Sequence, residues 1–275
     1  MNDKVKPHLT DSVAETLFIP LSMRARETER PDAIVRDPLA VALTRRIDYD
    51  FSQFKHDDMS LTGVAVRTRY LDERTDDFIA RHEHPVAVFL GCGLDTRRQR
   101  LKQADRAVCY ELDLPEVIDF RERVLPSNER DRYIASSMFD SGWMDELHTR
   151  HAGQPFVFVC EGVAMYFDIG MVKDFVCRLA ARFPDSELYL ERSSRMMVNR
   201  AKMHSSVRHT QAQFKSGMDD PHEPETWASN IRLIDEFYYS EHAKRRWGLA
   251  GAFMRLVPTL RRSFGIWAYR IEATR

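Results

Sequence analysis

The spacing of hydrophobic residues changes period along the chain. Over residues 12–47, Val13, Leu17, Ala40, Leu43 and Ile47 fall in a helical pattern, with Pro31 and Pro38 as punctuation. Over residues 60–82, Leu61, Val64, Ala65, Leu71, Phe78 and Ile79 predict a second long helix. From residue 86 the helical period gives way to unbroken apolar runs. VAVFLGCG (86–93) reads as a strand buried on both faces and closed by a glycine turn. AVCYELD (107–113), the weaker RYIASS (132–137), FVFVCEG (156–162) and SELYLER (186–192) read as four more strands. Helical stretches fall between them: 96–103, a segment opening at Pro115, and one running to Arg182 with Asp168 placed to cap it.

Strands alternating with helices predict an open, doubly wound and mostly parallel α/β sheet. Ligands of such sheets bind at the carboxyl ends of the strands. The tips to consider are therefore residues 91–96, 111–113, 136–138 and 161–166. Residues 1–84 would form an N-terminal helical cap and 85–194 the core of the sheet. The rhythm breaks after residue 194, where four Met (Met196, Met197, Met203, Met218) and three His (His204, His209, His222) accumulate. We read 195–238 as a helical lid over the sheet, and 239–275 as its C-terminal part, with FGIWAYRI (264–271) in a late hairpin.

Composition narrows the function. Lys+Arg total 41 and Asp+Glu 42, a formal net charge of −1, so binding of nucleic acid through bulk positive charge is not expected. No apolar stretch reaches the ~20 residues of a membrane span, and the polar start 1–10 lacks the apolar core of a signal peptide. Neither a nucleic-acid nor a membrane partner is expected. The four cysteines are far apart with no CxxC pair, which suits buried thiols in a reduced, cytoplasmic protein and gives no metal site. Residues 240–275 carry eight Lys/Arg against two Glu, either a solvated face or an attraction for an anionic or carrier-bound substrate.

Three strand tips carry chemistry. In Gly91-Cys92-Gly93-Leu94-Asp95-Thr96, two glycines let the backbone approach a ligand. Thr96 replaces the third glycine of a dinucleotide fingerprint and no GK[ST] follows, so two glycines and Asp95 suit a nucleoside without phosphates. The bland reading is a tight strand–helix turn. Glu111 and Asp113 close the second strand about 20 residues later, where an acid can accept from ribose hydroxyls. Alternation puts both on one side, so either can serve, unless both are simply solvated. Glu161, after a run of apolar residues, needs a partner: a cationic ligand group, or an arginine such as Arg67. Arg26 and Arg67, on the helices before the first strand, can grip a carboxylate through two parallel hydrogen bonds.

The strings VFLGCGLDTRRQRL, YELDLPEVIDFR and FVCEGVAMYF, in this order and spacing, resemble the leucine carboxyl methyltransferase family of S-adenosylmethionine-dependent enzymes. The nearest likeness is to its bacterial small-molecule branch, which includes polyketide O-methyltransferases. The resemblance covers residues 12–192, and YSEHAKRRWG (239–248) is similar too. It implies a Rossmann-like class I methyltransferase fold with a seven-stranded sheet and S-adenosylmethionine as cofactor. It implies that Arg67, with Arg26 as a second base, holds the methionine carboxylate. It further implies that Gly91 and Gly93 form the cofactor turn, Asp113 binds the ribose and Glu161 lies near the amino group. Relatives often carry an Asp-Leu pair against adenine; Ser137-Met138 stands there in this chain.

The acceptor is read less directly. A carboxylate acceptor needs no base, whereas a phenol with a pKa near ~10 gains from one. His204 and His209 in the lid are candidate bases, though lone histidines in polar helices mostly face solvent. Tyr166, just past the fourth strand, can orient the acceptor or simply pack. The Met-rich lid suits an aromatic or polyketide-like small molecule. Three rivals remain: methylation of a protein C-terminal carboxyl, which calls for an open cleft; a nicotinamide-dependent oxidoreductase; and a non-catalytic S-adenosylmethionine sensor.

Overall fold

The structure, a computed structural model, describes residues 4–11, 13–199 and 213–273. Five strands form its parallel core: β1 (Val86–Leu90), β2 (Val108–Asp113), β3 (Asp131–Ala135), β4 (Phe156–Cys160) and β5 (Ser186–Ser193). Two more, β6 (Ile231–Tyr238) and β7 (Phe264–Ile271), complete a seven-stranded sheet of order β3-β2-β1-β4-β5-β7-β6. Strand β7 runs antiparallel to both β5 and β6, so the sheet is mixed. Every residue of β1 and β4 is buried, as unbroken apolar runs covered on both faces require.

Helices α1 (Phe18–Thr28), α2 (Pro38–Arg46) and α3 (Asp58–Arg81) precede the sheet. Asp37 caps α2 by accepting from the Ala40 N–H, with Pro38 in the first turn, and Asp57 caps α3 through the Ser60 N–H. Between strands run α4 (Arg97–Arg100), α5 (Pro115–Val124), α6 (Gly142–Arg150) and α7 (Ile169–Arg182). Asp168 does occupy the N-cap position of α7, but its side chain makes no capping bond there. Later come α8 (Arg195–Asn199), α9 (Gly248–Leu256) and α10 (Pro258–Arg261). One face of the sheet packs on α6 and α7 around Trp143, Phe158, Phe175 and Trp267, and the other on α3 around Phe78, Phe89 and Tyr189.

Helix α3 meets β5 in register. Three of its arginines, each seven residues or two helical turns apart, pair with alternate positions of the strand. Arg67 reaches Glu191 at 2.8 Å, Arg74 lies over the Tyr189 ring at 5.6 Å, and Arg81 reaches Glu187 at 3.3 Å. The ladder fixes where Arg67 stands relative to the strand tips.

One boundary differs from the sequence reading. Residues 231–238, placed in the lid, form β6, so the sheet resumes at 231 and not at 239. Its burial is irregular and a register shift between Leu233 and Asp235 breaks the alternation, so the period-2 signal is lost.

The C-terminal third is tied back to α1 by Arg246, 2.6 Å from Glu27, which is fully buried and also accepts from the Ile34 N–H. Removing one partner of such a pair strands a buried charge. Arg246→Ala should therefore lower stability by about 3–5 kcal/mol, read as the shift of the urea midpoint at unchanged slope.

Candidate active site

The strand order reverses between β1 and β4, and there a cavity of about 230 Å³ opens at the carboxyl ends of β1, β2 and β4. Its floor is the turn after β1. Gly91 and Gly93 have φ of +62° and +50°, the left-handed region that glycine adopts without strain. A Cβ on Gly91 would meet Val163 Cγ2 at 2.2 Å. Arg121 braces the turn from below, donating to the Gly93 and Asp95 carbonyls at 3.0 and 2.7 Å.

Asp113 lines the cavity and accepts from the Gly93 and Leu114 N–H groups at 2.7 and 2.8 Å. Burial pushes its carboxyl up to about 6, against the pull of those two N–H groups. Glu111 does not line the cavity. It is fully buried 3.0 Å from Arg121, and burial lifts it to about 8 despite that neighbour. The strand thus resolves the two acids: Asp113 faces the cavity, and Glu111 sits under the arginine that braces the turn.

Charge is concentrated beneath the cavity. Arg67 donates to Glu161 and Glu191 at 2.8 Å each; burial opposes its charge, but the two carboxylates outweigh it and hold the guanidinium protonated. Arg97 bonds Asp72, Asp95 and, by a short contact, Glu161. Arg100 bonds Asp37, Asp72 and Asp95. Burial would raise Asp95, yet Arg100, Arg24 and Arg97 drive it well below the usual carboxylate range. Thr96 belongs to this network too, its hydroxyl donating to Asp37 at 2.6 Å.

A second cavity, of about 450 Å³, adjoins the first; Thr16, Pro20, Arg67 and Gly162 line both. Helix α3 offers it Ser60, Gly63, Val64 and Arg67, one stripe at helical spacing. Much of the remaining wall is aromatic or thioether: Tyr166, Phe214, Tyr239, Trp247 and Phe264, with Met59, Met165, Met197 and Met254. Burial raises the Tyr166 phenol to about 12, so it is a hydroxyl donor at neutral pH and not a base. At the boundary Glu191 accepts from Tyr239 Oη and the Gly162 N–H, both at 2.6 Å, besides Arg67.

Of the residues singled out in the sequence, Arg67, Gly91, Gly93, Asp95, Asp113, Ser137, Met138 and Glu161 line the first cavity and Tyr166 the second. Arg26 lines neither. It donates to the Phe54 carbonyl at 2.7 Å and to Asp58 at 3.0 Å, on the far side of α1. Arg24 lines the first: Leu17, Pro20 and Arg24, spaced three and four apart, form a stripe of the N-terminal segment that faces the cavity. His204 and His209 lie outside the described residues. Arg97 and Glu191 were missed, although a glutamate in the buried run SELYLER calls for a partner.

Gly91→Ala combines a left-handed backbone with the Val163 overlap. It should cost at least about 1–3 kcal/mol in thermal unfolding, whereas Gly153→Ala, also at positive φ but in open space, should cost only the backbone strain.

Comparison with known proteins gives the cavity a family. Residues 18–176 match the profile of the family described as Leucine carboxyl methyltransferase. The chain is 30% identical over 256 residues to the tetracenomycin polyketide synthesis O-methyltransferase TcmP of Streptomyces glaucescens, covering 90% of this chain and 93% of that one. It is 28% identical to the S-adenosyl-L-methionine-dependent methyltransferase dpfgK of Gibberella zeae, covering 92% of each. Among solved structures, a duf574 family protein from Streptomyces avermitilis shares the fold, with a TM-score of 0.52 at 11% identity over 91% of this chain and 96% of that one. The chain belongs to the leucine carboxyl methyltransferase family, is a methyltransferase, and uses S-adenosylmethionine as its cofactor.

Proposed function

We propose that the enzyme transfers the methyl group to oxygen, on a carboxyl or phenolic hydroxyl of a small aromatic or polyketide-like molecule. The observation that carries this reading is the pair of cavities meeting at Thr16, Pro20, Arg67 and Gly162, one lined with charge and the other with aromatic and methionine side chains. The similarity to TcmP supports the same acceptor class.

The residues of the first cavity fit S-adenosylmethionine, which has a carboxylate, an ammonium, a ribose diol and an adenine. Arg24, Arg67 and Arg97 are the cations available to the carboxylate, and Glu161 the anion available to the ammonium. Asp113 is the acceptor for the ribose hydroxyls. Ser137 and Met138 offer a hydroxyl and a thioether to the purine. When bound, the cofactor supplies a methyl group on a sulfonium, a leaving group that departs as a neutral thioether. A carboxylate acceptor is ionised at neutral pH and has no proton to lose, whereas a phenol would release its proton to solvent. The protein's part is alignment, which supplies up to ~7–11 kcal/mol in well-oriented systems. Tyr166, at the wall of the second cavity, donates a hydrogen bond that orients the acceptor oxygen.

The other readings have less support. An aromatic wall suits a compact ring better than a peptide tail, which weighs against a protein carboxyl as acceptor. For a dinucleotide, α4 has only four residues, and Asp95 stands where a pyrophosphate would need positive charge. A pure cofactor sensor gives no reason for the second cavity.

Calorimetric titration tests the cofactor site. The wild type should bind S-adenosylmethionine and S-adenosylhomocysteine with a Kd on the order of micromolar, and Arg67→Ala and Asp113→Ala should each weaken binding at least tenfold. No binding by the wild type would overturn the assignment. The pH dependence follows from Asp113. Ribose hydroxyls donate to the ionised carboxylate, so binding favours the charged form and lowers its pKa. Affinity should hold above pH about 6 and fall below it, approaching tenfold per unit. In Asp113→Asn that step should vanish.

A further inference from the structure

Helix α9 is apolar on two sides. Its inner side gives Met254 to the wall of the second cavity, beside Trp247, which stands just ahead of the helix. Its outer side carries Leu249, Phe253 and Leu256, exposed to 91%, 61% and 80%. Spacings of four and three residues set them in one stripe. The helix has one charged residue, Arg255, and its guanidinium turns back onto the Ser240 carbonyl at 3.2 Å. Exposed cations flank the stripe in sequence: Lys244 and Arg245 before α9, and Arg262 after α10, its guanidinium over the Tyr238 ring at 5.5 Å. Single exposed leucines are ordinary, but three large apolar side chains on one face mark a contact surface.

We propose that α9 and α10 dock on an anionic lipid surface. Leu249, Phe253 and Leu256 would enter the boundary of the acyl chains, while Lys244, Arg245 and Arg262 meet the headgroup phosphates. Two observations favour lipid over protein. Side chains exposed to 91% and 80% have almost nothing of the protein around them, so they stand clear of the surface as an inserting tip does. A symmetric dimer through this face would bring two copies of the same cation-flanked stripe together, a like-charge juxtaposition that opposes self-association. The contact is peripheral, for among the described residues no helix is long and apolar enough to cross a membrane. The sequence reading excluded a membrane partner by considering spanning segments and a leader only. The same hairpin walls the second cavity, and Met59, another lining residue, is itself 45% exposed. A lipophilic acceptor could therefore pass from the bilayer to the cavity. The docking itself does not depend on the acceptor proposed above.

The test is flotation of the purified full chain with vesicles of phosphatidylcholine alone and with 3:1 phosphatidylcholine–phosphatidylglycerol. Binding is expected only to the anionic vesicles, weakening with salt. The double variant Leu249→Glu/Phe253→Glu should reduce it at least tenfold and Lys244→Glu/Arg245→Glu several-fold. Both variants should keep the wild-type Kd for S-adenosylmethionine, since none of these residues lines the first cavity. No binding to anionic vesicles, or binding that neither variant changes, would overturn the proposal. So would a dimer in sedimentation velocity that Leu249→Glu/Phe253→Glu abolishes, because the stripe would then belong to a second copy of the chain.

Discussion

Arg67 lies 2.8 Å from Glu161 on β4's tip and 2.8 Å from Glu191 on β5, and it lines both cavities. A guanidinium that is nearly buried must be met by fixed acceptors, because the cost of desolvating its charge otherwise exceeds what any one contact returns. Here the acceptors come from neighbouring strands, and the arginine from a helix locked to β5 by its heptad-spaced partners. Position is thereby set by three elements at once. The glycine turn, braced by Arg121 over Glu111, supplies a fourth fixed edge. The first cavity is fixed by paired charge, and the second is walled in part by adaptable methionine.

The parts of this arrangement legible in the sequence are those with a local signal. Buried parallel strands announce themselves as unbroken apolar runs, and a polar residue that ends such a run is placed at the tip by the strand itself. That is why Gly91, Gly93 and Glu161 could be placed at strand tips in advance, and why the suggested Arg67–Glu161 pairing is found. Glu111 and Asp113 could not be separated, because alternation fixes a side of the strand but not the depth. Two residues along the strand, roughly 6–7 Å, separate an acid buried against Arg121 from one that lines the cavity.

The misreadings also have physical causes. Arg24 and Arg26 are two positions apart on a helix, about 200° around its axis, so they face nearly opposite directions. α1 is buried on most sides, by α2 and α3 as well as by the turn, so no clean polar face showed which arginine pointed inward. Strand β6 lies at the sheet edge with a bulge and charged residues, and lacks the alternation that would have shown it. Glu191 meets Arg67 across 124 residues and Arg97 meets Glu161 across 64, and no local pattern carries such contacts.

The buried network joins four arginines, Arg24, Arg67, Arg97 and Arg100, to five carboxylates, Asp37, Asp72, Asp95, Glu161 and Glu191. With all of them ionised it carries one negative charge in excess. S-adenosylmethionine, with sulfonium, ammonium and carboxylate, carries one positive charge in excess, and the two compensate. Methyl transfer converts the sulfonium to a thioether and leaves the spent cofactor with no net charge. A cavity set over a fixed excess of negative charge favours a ligand of net positive charge over a neutral one of the same shape.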